Sequence, residues 1–514
     1  MYMLHRARGL GLRARLFEAG GGVGGTWYWN RYPGARCDVE SMEYSYQFDE
    51  ALQQEWSWSE RYAAQPEILR YANHVADRFG LRKDMRFNAR VEAAIFDEKQ
   101  SVWRVNVSDG TTASARFLVM ATGCLSSANL PRFEGLESFA GKTWHTGRWP
   151  QEEVDFRGLR IGVVGTGSSA VQSIPLIAAQ AKELVVFQRT ATYSVPAHNG
   201  PLDPAYEARI KADYAGFRAR NSRMPNALGS ETPRNEGSAL AASPEQRAQA
   251  FEARWRRGGF AFLGAFGDLM LDETANQFAG EFVRRKIHGI VADPEVARRL
   301  SPKQVIGCKR LCVDIGYYQT FNRPNLRLVD LGESPIEEFT PRGLRSGGRE
   351  YRFDGVVFAT GFDAMTGALL SIDIRGRGGR SLREAWRAGP RNYLGLGVAG
   401  FPNLFTITGP GSPSVLTNMM VSIEQHVNWI ADCIAWLRSQ KRALIEATLA
   451  AEDAWMAHVN AVADRTVYPL CNSWYLGANV PGKKRVFMPL VGYPAYLEKC
   501  REVAAQGYEG FNLA

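Results

Sequence analysis

The clearest chemical signal in the sequence is a run of small residues, Gly165-Thr166-Gly167-Ser168-Ser169-Ala170, between an apolar strand pattern and an apolar helix pattern. Small side chains let the backbone approach a pyrophosphate, and the first turn of a helix offers free N–H groups to an anion. We therefore predict that residues 165–169 bind the phosphates of a dinucleotide. The motif alone is weak evidence for a dinucleotide site, and the flanking strand and helix patterns make the prediction specific.

Arg189 follows the next apolar run, residues 184–187, and predicts which dinucleotide is bound. Its distance from Gly165 is close to the ~20 residues at which such folds place the side chain that contacts the ribose. An acid there would bind the 2′-hydroxyl of NAD. Arginine suits the 2′-phosphate of NADP instead, because it forms charge-assisted hydrogen bonds to phosphate oxygens.

A second nucleotide site is predicted at the start of the chain. Residues 1–8 favour a helix and residues 12–19 favour a strand that ends near Glu18, where this fold places an acid for the ribose. No glycine loop precedes that strand. We therefore expect the loop and its own strand, about 25–30 residues, to lie upstream of Met1, and we expect weak binding of this nucleotide without them. Taken alone, Glu18 would read as a residue of a surface turn.

Three further segments carry a family resemblance. Gly24-Gly25-Thr26-Trp27 and the turn-rich residues 31–38 follow Glu18, and residues 139–150 read F-x-G-x-x-x-H-x-x-x-W-P, directly before the glycine motif. On these motifs the whole chain resembles the Baeyer–Villiger monooxygenases, and most of all the phenylacetone and steroid monooxygenase type. The fixed positions of this fingerprint are Phe139, Gly141, His145, Trp149 and Pro150.

The resemblance implies a reaction and its central residues. In this family NADPH reduces FAD, and the flavin peroxide that then forms with O2 attacks a ketone as an anion to give an ester or lactone. Arg310 matches the family's cation beside that anion, and Asp38 matches its carboxylate partner. Arginine suits this role because it stays protonated and offers several donors.

The resemblance also implies the remaining contacts. Lys309 would share the 2′-phosphate with Arg189, Thr190 would donate a hydroxyl, and Trp474 would fold over NADP. The loop from residue 414 would shape a pocket open to aromatic and bulky ketones. The FAD contacts so implied are Glu18, Gly24, Gly25, Thr26, Trp27, Asp38 and Tyr44, and the ketone pocket is Ser414, Val415, Leu416 and Met419.

Strand patterns that end in glycine alternate with helix patterns, which predicts an α/β fold with parallel sheets. We predict two Rossmann-like dinucleotide-binding domains, for FAD and NADP, with the first strand and glycine loop of the FAD domain missing. Charged residues and helix starts such as Ser243-Pro244-Glu245 predict a helical insertion. The predicted divisions are an FAD domain over 1–123 and 362–514, an NADP domain over 124–195 and 303–361, and the insertion over 196–302.

Composition narrows the class of protein. The chain has 514 residues, 45% of them hydrophobic, and a net charge of +9 without a dominant basic run. These values favour a soluble protein that binds anionic cofactors over one that binds nucleic acid or a membrane. Seven scattered cysteines without a C-x-x-C pair predict reduced thiols and a cytoplasmic location, and no residue spacing predicts a metal site. We expect a monomer that acts on a small-molecule ketone and O2.

Two other functions stay open from the sequence alone. A flavin monooxygenase that oxidises nitrogen or sulfur would share both nucleotide folds, but it would lack the fingerprint and would not need Arg310 with Asp38. A non-catalytic NADP-binding protein would have lost its flavin loop. Flavin absorption by the purified protein distinguishes the enzymes from the binding protein.

Overall fold

The computed structural model describes residues 1–514 and has an α/β fold. Twenty strands form seven sheets. The strands are β1 Leu16–Phe17, β2 Met85–Arg86, β3 Val91–Asp97, β4 Val102–Val107, β5 Thr112–Ala115, β6 Leu118–Met120, β7 Lys142–His145, β8 Arg160–Val164, β9 Glu183–Gln188, β10 Ser194–Pro196, β11 Cys312–Asp314, β12 Leu326–Asp330, β13 Ile336–Thr340, β14 Gly343–Ser346, β15 Arg349–Arg352, β16 Gly355–Phe358, β17 Asp373–Arg375, β18 Leu404–Thr406, β19 Ile445–Ala447 and β20 Phe511–Leu513.

Sixteen α-helices accompany the strands. They are α1 Tyr2–Gly9, α2 Thr26–Trp29, α3 Glu50–Glu55, α4 Gln65–Arg78, α5 Ser168–Gln180, α6 Pro204–Ala212, α7 Tyr214–Ser222, α8 Pro244–Arg257, α9 Glu273–Ile290, α10 Pro294–Leu300, α11 Tyr317–Thr320, α12 Gly367–Leu370, α13 Leu382–Ala385, α14 Met419–Ser439, α15 Leu449–Ala463 and α16 Tyr493–Ala505. Short 3-10 helices lie at Leu81–Asp84, Leu136–Ser138, Thr146–Arg148, Gly259–Gly264, Arg377–Gly379, Ser414–Leu416, Tyr468–Leu470 and Trp474–Leu476.

The largest sheet is fully parallel, with strand order β12-β9-β8-β16-β7. Its three middle strands, β9, β8 and β16, consist largely of buried apolar residues, as expected where helices cover both faces of a parallel sheet. Helix α5 connects β8 to β9 and begins within the glycine motif, directly after Gly167. The predicted α/β class with parallel strands is confirmed by this sheet.

The first and last parts of the chain pack together in a second α/β region. Strand β18 pairs in parallel with β6, and β17 joins the sheet of β3, β4 and β5. Strand β1 covers only Leu16 and Phe17, because only these two residues of the predicted strand pair with β2. The predicted helix over residues 1–8 is present as α1, which packs along α14.

Between β10 and β11 the chain forms helices α6 to α10 and no strand, as its charged composition predicts. The side chain of Asp203 caps α6, and Ser243 forms a capping box with Gln246 at the start of α8. The domain limits given from the sequence remain predictions. No helix of the chain combines the length and the apolar character of a membrane span.

Candidate active site

Arg310 lies between Gly307 and strand β11 and reaches a carboxylate from the first part of the chain. Its Nε and Nη2 atoms donate to the two oxygens of Asp38, each at 2.7 Å. Its Nη1 atom donates to the backbone carbonyl of Val415 at 2.9 Å. A guanidinium carries five N–H groups, and these contacts use three of them, which leaves one N–H on each Nη atom. The buried hydroxyl of Tyr475 also lies within reach of the guanidinium.

The charge of this guanidinium is fixed. Burial lowers the pKa of Arg310, but the charge and hydrogen bonds of Asp38 outweigh it and raise the pKa above its usual value. Only a quarter of the Arg310 side chain is exposed, and 17% of the Asp38 side chain. The site therefore holds a permanent, oriented cation, which is what the stabilisation of a developing negative charge requires.

Arg310 and Asp38 line a cavity of about 1850 Å³ that runs along the glycine motif and the first part of the chain. Most of the residues singled out in the sequence lie on its wall, although they come from distant positions. They are Glu18, Gly24, Gly25, Thr26, Trp27, Asp38, Tyr44, Gly165, Thr166, Gly167, Ser168, Ser169, Arg189, Thr190, Lys309, Arg310, Val415, Met419 and Trp474.

The glycine motif is held tightly against β16. Gly165 has a φ of +112°, and a Cβ atom there would lie 2.4 Å from the carbonyl oxygen of Ala359. No other residue fits this position without strain. The Thr166 hydroxyl donates to the carbonyl of Thr190 at 2.8 Å. Gly167 then caps α5, so the positive end of a thirteen-residue helix points at the cavity.

Arg189 and Lys309 form a pair of cations in the same cavity. Neither side chain makes a salt bridge or a hydrogen bond within the chain. Burial lowers the pKa of Lys309, and the nearby charge of Arg189 lowers it further. Two adjacent cations without a carboxylate are costly, so this arrangement fits a bound anion.

Glu18 and the segment that follows it form the other end of the cavity. One carboxylate oxygen of Glu18 accepts from the backbone N–H of Gly20 at 2.7 Å, and the second oxygen has no partner in the chain. The Trp27 indole donates to the Tyr44 hydroxyl at 3.2 Å. Gly24 has a φ of +120°, which keeps the backbone beside Trp27 and Tyr44 close to the cavity wall. A free carboxylate oxygen here suits a ribose hydroxyl.

The fingerprint residues Phe139, Gly141, His145, Trp149 and Pro150 stand behind the cavity wall rather than on it. Gly141 allows the Phe139 ring to fold against it, since a Cβ atom there would lie 2.4 Å from the ring. The Trp149 ring stacks near that of Trp144, with centroids 6.2 Å apart.

His145 connects the ends of two neighbouring strands, β7 and β16. Its Nδ1 atom accepts from the Gly147 N–H at 3.0 Å, so the proton lies on Nε2, which faces the Thr360 hydroxyl at 3.3 Å. That hydroxyl donates onward to the carbonyl of Asn129. Burial lowers the pKa of His145, which keeps the ring neutral. This series of hydrogen bonds fixes Gly147 and Arg148, which do line the cavity.

The segment predicted to shape the ketone pocket is only partly at the cavity. Val415 and Met419 lie on the wall, whereas Ser414 and Leu416 do not. The Ser414 hydroxyl donates to the carbonyl of Thr408 at 3.0 Å and is fully buried. Leu416 packs into an apolar cluster with Phe487. The alternation follows from the 3-10 turn at Ser414–Leu416, which points successive side chains in different directions.

The prediction that all cysteines are reduced is wrong for two of the seven. Cys308 and Cys471 form a disulfide, with Cα atoms 6.1 Å apart and positions 163 apart in sequence. Sequence spacing gives no sign of such a contact, because the fold creates it. The bond ties the segment that carries Lys309 and Arg310 to the loop that carries Trp474.

We expect five of the seven cysteines to react with a thiol reagent in denatured protein that has not been reduced, and all seven after reduction. The reason is that only Cys308 and Cys471 have geometry that allows a bond. Counting thiols by absorbance and by intact mass tests this. Replacing Cys308 by serine should free Cys471, so that every remaining cysteine reacts. Seven reactive thiols before reduction would contradict the bond.

The structure also assigns contacts that the sequence did not indicate. The backbone carbonyl of Val415 is the third partner of Arg310, although Val415 was singled out for its side chain. Thr360 is the partner of His145. Neither contact can be predicted from residue type. The first uses a main-chain carbonyl, and the second uses a threonine at the end of a strand, where threonine is common.

Comparison with known proteins places the chain in a family. A family model described as flavin-binding monooxygenase-like matches residues 41–207. A Baeyer–Villiger monooxygenase from Pseudooceanicola batsensis is 43% identical over 513 residues, which are 99% of this chain and 93% of that protein. The phenazine N-monooxygenase PhzNO1 of Lysobacter antibioticus is 43% identical over 520 residues, which are 100% of this chain and 95% of that protein.

Solved structures agree with these relatives. An oxidised steroid monooxygenase bound to NADP matches with a TM-score of 0.95 and 52% identity, over 100% of this chain and 97% of that one. Identity of this size over whole chains, together with the fingerprint and the Arg310–Asp38 pair, confirms the resemblance drawn from the sequence. The chain belongs to the Baeyer–Villiger monooxygenase family.

Proposed function

We propose that this chain converts ketones to esters or lactones, with FAD and NADPH as cofactors and O2 as the oxidant. The observation that carries the proposal is the Arg310 guanidinium, which Asp38 holds with two hydrogen bonds of 2.7 Å and which lines the cavity. A fixed cation with free donors can bind an anionic oxidant and the negative charge that develops on the ketone oxygen.

The residues on the wall fit both cofactors. We propose that the parallel five-stranded sheet with α5 binds NADP, with its pyrophosphate at residues 165–169 and its 2′-phosphate between Arg189 and Lys309. We propose that the second α/β region binds FAD, with Glu18 at the ribose and Trp27, Tyr44 and Asp38 nearer the flavin. All these residues come from one chain, so the proposed site needs no second copy.

Each group then has a separate task. Reduced FAD, when bound, supplies the electrons that convert O2 into an anionic oxidant. Arg310 holds that anion and does not give up its own proton, because Asp38 raises its pKa. Asp38 orients the guanidinium, and the partly buried surroundings reduce its contact with water, which strengthens the interaction of the cation with negative charge. Val415 and Met419 limit the space that a ketone can occupy.

A second function deserves a direct test because PhzNO1, by its name an N-oxidising enzyme, is as similar in identity as the Baeyer–Villiger relative. The experiment follows NADPH oxidation with a panel of linear, cyclic and aryl ketones and with a panel of aromatic N-heterocycles and amines. Products are identified by mass, and hydrogen peroxide is subtracted. Esters or lactones support the proposal, whereas N-oxides alone would replace it. If the purified protein shows no flavin absorption, neither function is supported.

Val415 offers a test of the ketone site. We expect Val415→Gly and Val415→Phe to change which ketones react, because this buried side chain lies on the cavity wall beside Arg310. The Michaelis constant for NADPH should change less than about twofold, since the phosphate contacts lie elsewhere. The measurement is kcat/KM for five or more ketones in each variant.

The neighbouring residue Leu416 provides the control. Its side chain is buried away from the cavity, so Leu416→Val should lower stability without a new ketone preference. If the two Val415 variants keep the wild-type order of ketones, the side chain does not contact the substrate.

A further inference from the structure

The Arg310 guanidinium lies over an aromatic ring that the sequence did not single out. Phe260 lies in the 3-10 helix Gly259–Gly264, and its ring centre is 4.9 Å from the guanidinium carbon of Arg310. Asp38 and Val415 hold the edge of the same guanidinium. The hydrogen bonds to Asp38 and Val415 fix the edge of the guanidinium, and the Phe260 ring limits the tilt of the guanidinium plane about that edge.

Two glycines before Phe260 place its ring. Gly258 and Gly259 have φ values of +75° and +68°. A Cβ atom at Gly258 would lie 2.4 Å from the carbonyl oxygen of Pro196, and one at Gly259 would lie 2.1 Å from the hydroxyl of Tyr62. Only glycine allows the chain to pass between these two groups. The backbone that carries Phe260 is therefore held on both sides.

An ion-pair cluster anchors the same segment to the loop that carries Asp38. Glu40 accepts hydrogen bonds from Arg61 and from Arg257, each at 2.8 Å. Arg61 also donates to the carbonyl of Arg257 at 3.1 Å. Arg257 is the last residue of α8 and stands three residues before Phe260. The short segment from Asp38 to Glu40 thus holds Arg310 directly and, through Arg257, the ring that covers it.

The ring also lies where the two largest apolar clusters of the molecule meet. Phe260 is partly buried and packs against both the cluster around the five-stranded sheet and the cluster around α14. A ring in this position keeps its place only while both clusters keep theirs. Aromatic faces attract a guanidinium, and at a partly buried site the attraction corresponds to about tenfold in an equilibrium constant.

We infer that Phe260 is a positioning residue for Arg310, whose ring holds the guanidinium so that the N–H groups not bonded to Asp38 or Val415 face the reacting oxygen atoms. The inference rests on the role given to Arg310 under the proposed function. Loss of the ring would leave the charge and the Asp38 contact in place but would let the plane tilt. Ester formation would slow, and more of the activated oxygen would be released as hydrogen peroxide.

The test compares Phe260→Leu with Phe260→Tyr in the FAD-loaded enzyme. Leucine keeps an apolar side chain and removes the aromatic face, whereas tyrosine keeps the face. For Phe260→Leu we expect kcat for ester formation to fall about tenfold. The factor should be the same for a small and a bulky ketone, with more peroxide per NADPH and a nearly unchanged KM for NADPH. Phe260→Tyr should restore coupling to near the wild-type value.

Phe262→Leu is the matched control. It makes the same change two residues further on, at a fully buried ring that packs with Phe251 and Phe282 rather than Arg310. It should lower the melting temperature without changing the share of NADPH that yields ester. If Phe262→Leu and Phe260→Leu uncouple the enzyme equally, the effect is general loosening and the positioning role is overturned.

A second readout does not depend on turnover. Phenylglyoxal modifies free guanidinium groups, and peptide mass spectrometry gives the rate at Arg310 alone. We expect slow labelling in the wild type and in Phe260→Tyr, and labelling at least threefold faster in Phe260→Leu. Unchanged labelling with unchanged coupling would overturn the inference. So would a change of KM that differs between the two ketones at constant kcat, because the ring would then contact the substrate. A wild type that makes no ester, despite slow labelling, would instead overturn the proposed function.

Discussion

Arg310→Ala is expected to reduce ester formation by a factor on the order of a thousand while the protein still folds and still binds FAD. Removal of one preorganised donor at a site of developing negative charge costs on the order of a hundred- to a thousandfold, and here the cation is lost as well. Folding should persist because Arg310 forms one ion pair, with Asp38, and its other contacts, which include the Val415 carbonyl and the Phe260 ring, are few. Product analysis and flavin absorbance measure the two effects separately.

The matched control is Arg160→Ala. Arg160 forms the same two-bond pair with Asp354, at 3.1 and 2.8 Å, but lies outside the cavity. Loss of either pair leaves a carboxylate unpaired and should lower stability, yet only loss of Arg310 should stop ester formation. Arg310→Lys separates charge from geometry, because lysine keeps the charge but not the fork that matches Asp38. Ester formation by Arg310→Ala at near the wild-type rate would refute the proposed mechanism.

The parts of the site that the sequence could predict are those in which residue type and local pattern decide the structure. The glycine motif is one, because Gly165 stands where a Cβ atom would collide with Ala359, and α5 must begin directly after it. The strands that flank the motif are another, because a continuous apolar run with glycine at its end has few other places in an α/β fold. These features depend on neighbours along the chain.

The parts that could not be predicted depend on contacts between distant segments. The Cys308–Cys471 bond joins residues 163 positions apart, and the stacking of Phe260 on Arg310 needs the helical segment to reach the loop of Asp38. Ser414 and Leu416 turn away from the cavity while Val415 faces it, a difference set by one 3-10 turn. A sequence motif identifies a loop, but only the packed structure shows which side chains of that loop face the cavity.

Arg189→Ala should weaken the binding of NADPH far more than that of NADH, because the lost contact belongs to the 2′-phosphate that NADH lacks. A hydrogen bond to a charged group contributes about 1.5–3 kcal/mol, which corresponds to roughly a 10- to 150-fold rise in the Michaelis constant for NADPH. The constant for NADH should stay within about twofold, because NADH has no phosphate at this position.

The measurement is kcat and KM with both cofactors for the wild type, Arg189→Ala, Lys309→Ala and the double variant. If the two cations share one phosphate, their effects on NADPH should couple, and the double variant should lose less than the sum of the single losses. Arg327→Ala is the control, because this exposed arginine on the neighbouring strand β12 lies outside the cavity. Equal changes for NADPH and NADH in Arg189→Ala would remove the 2′-phosphate from this position. That result would leave Lys309, a point charge without the fork of an arginine, as the one proposed contact that distinguishes the two cofactors.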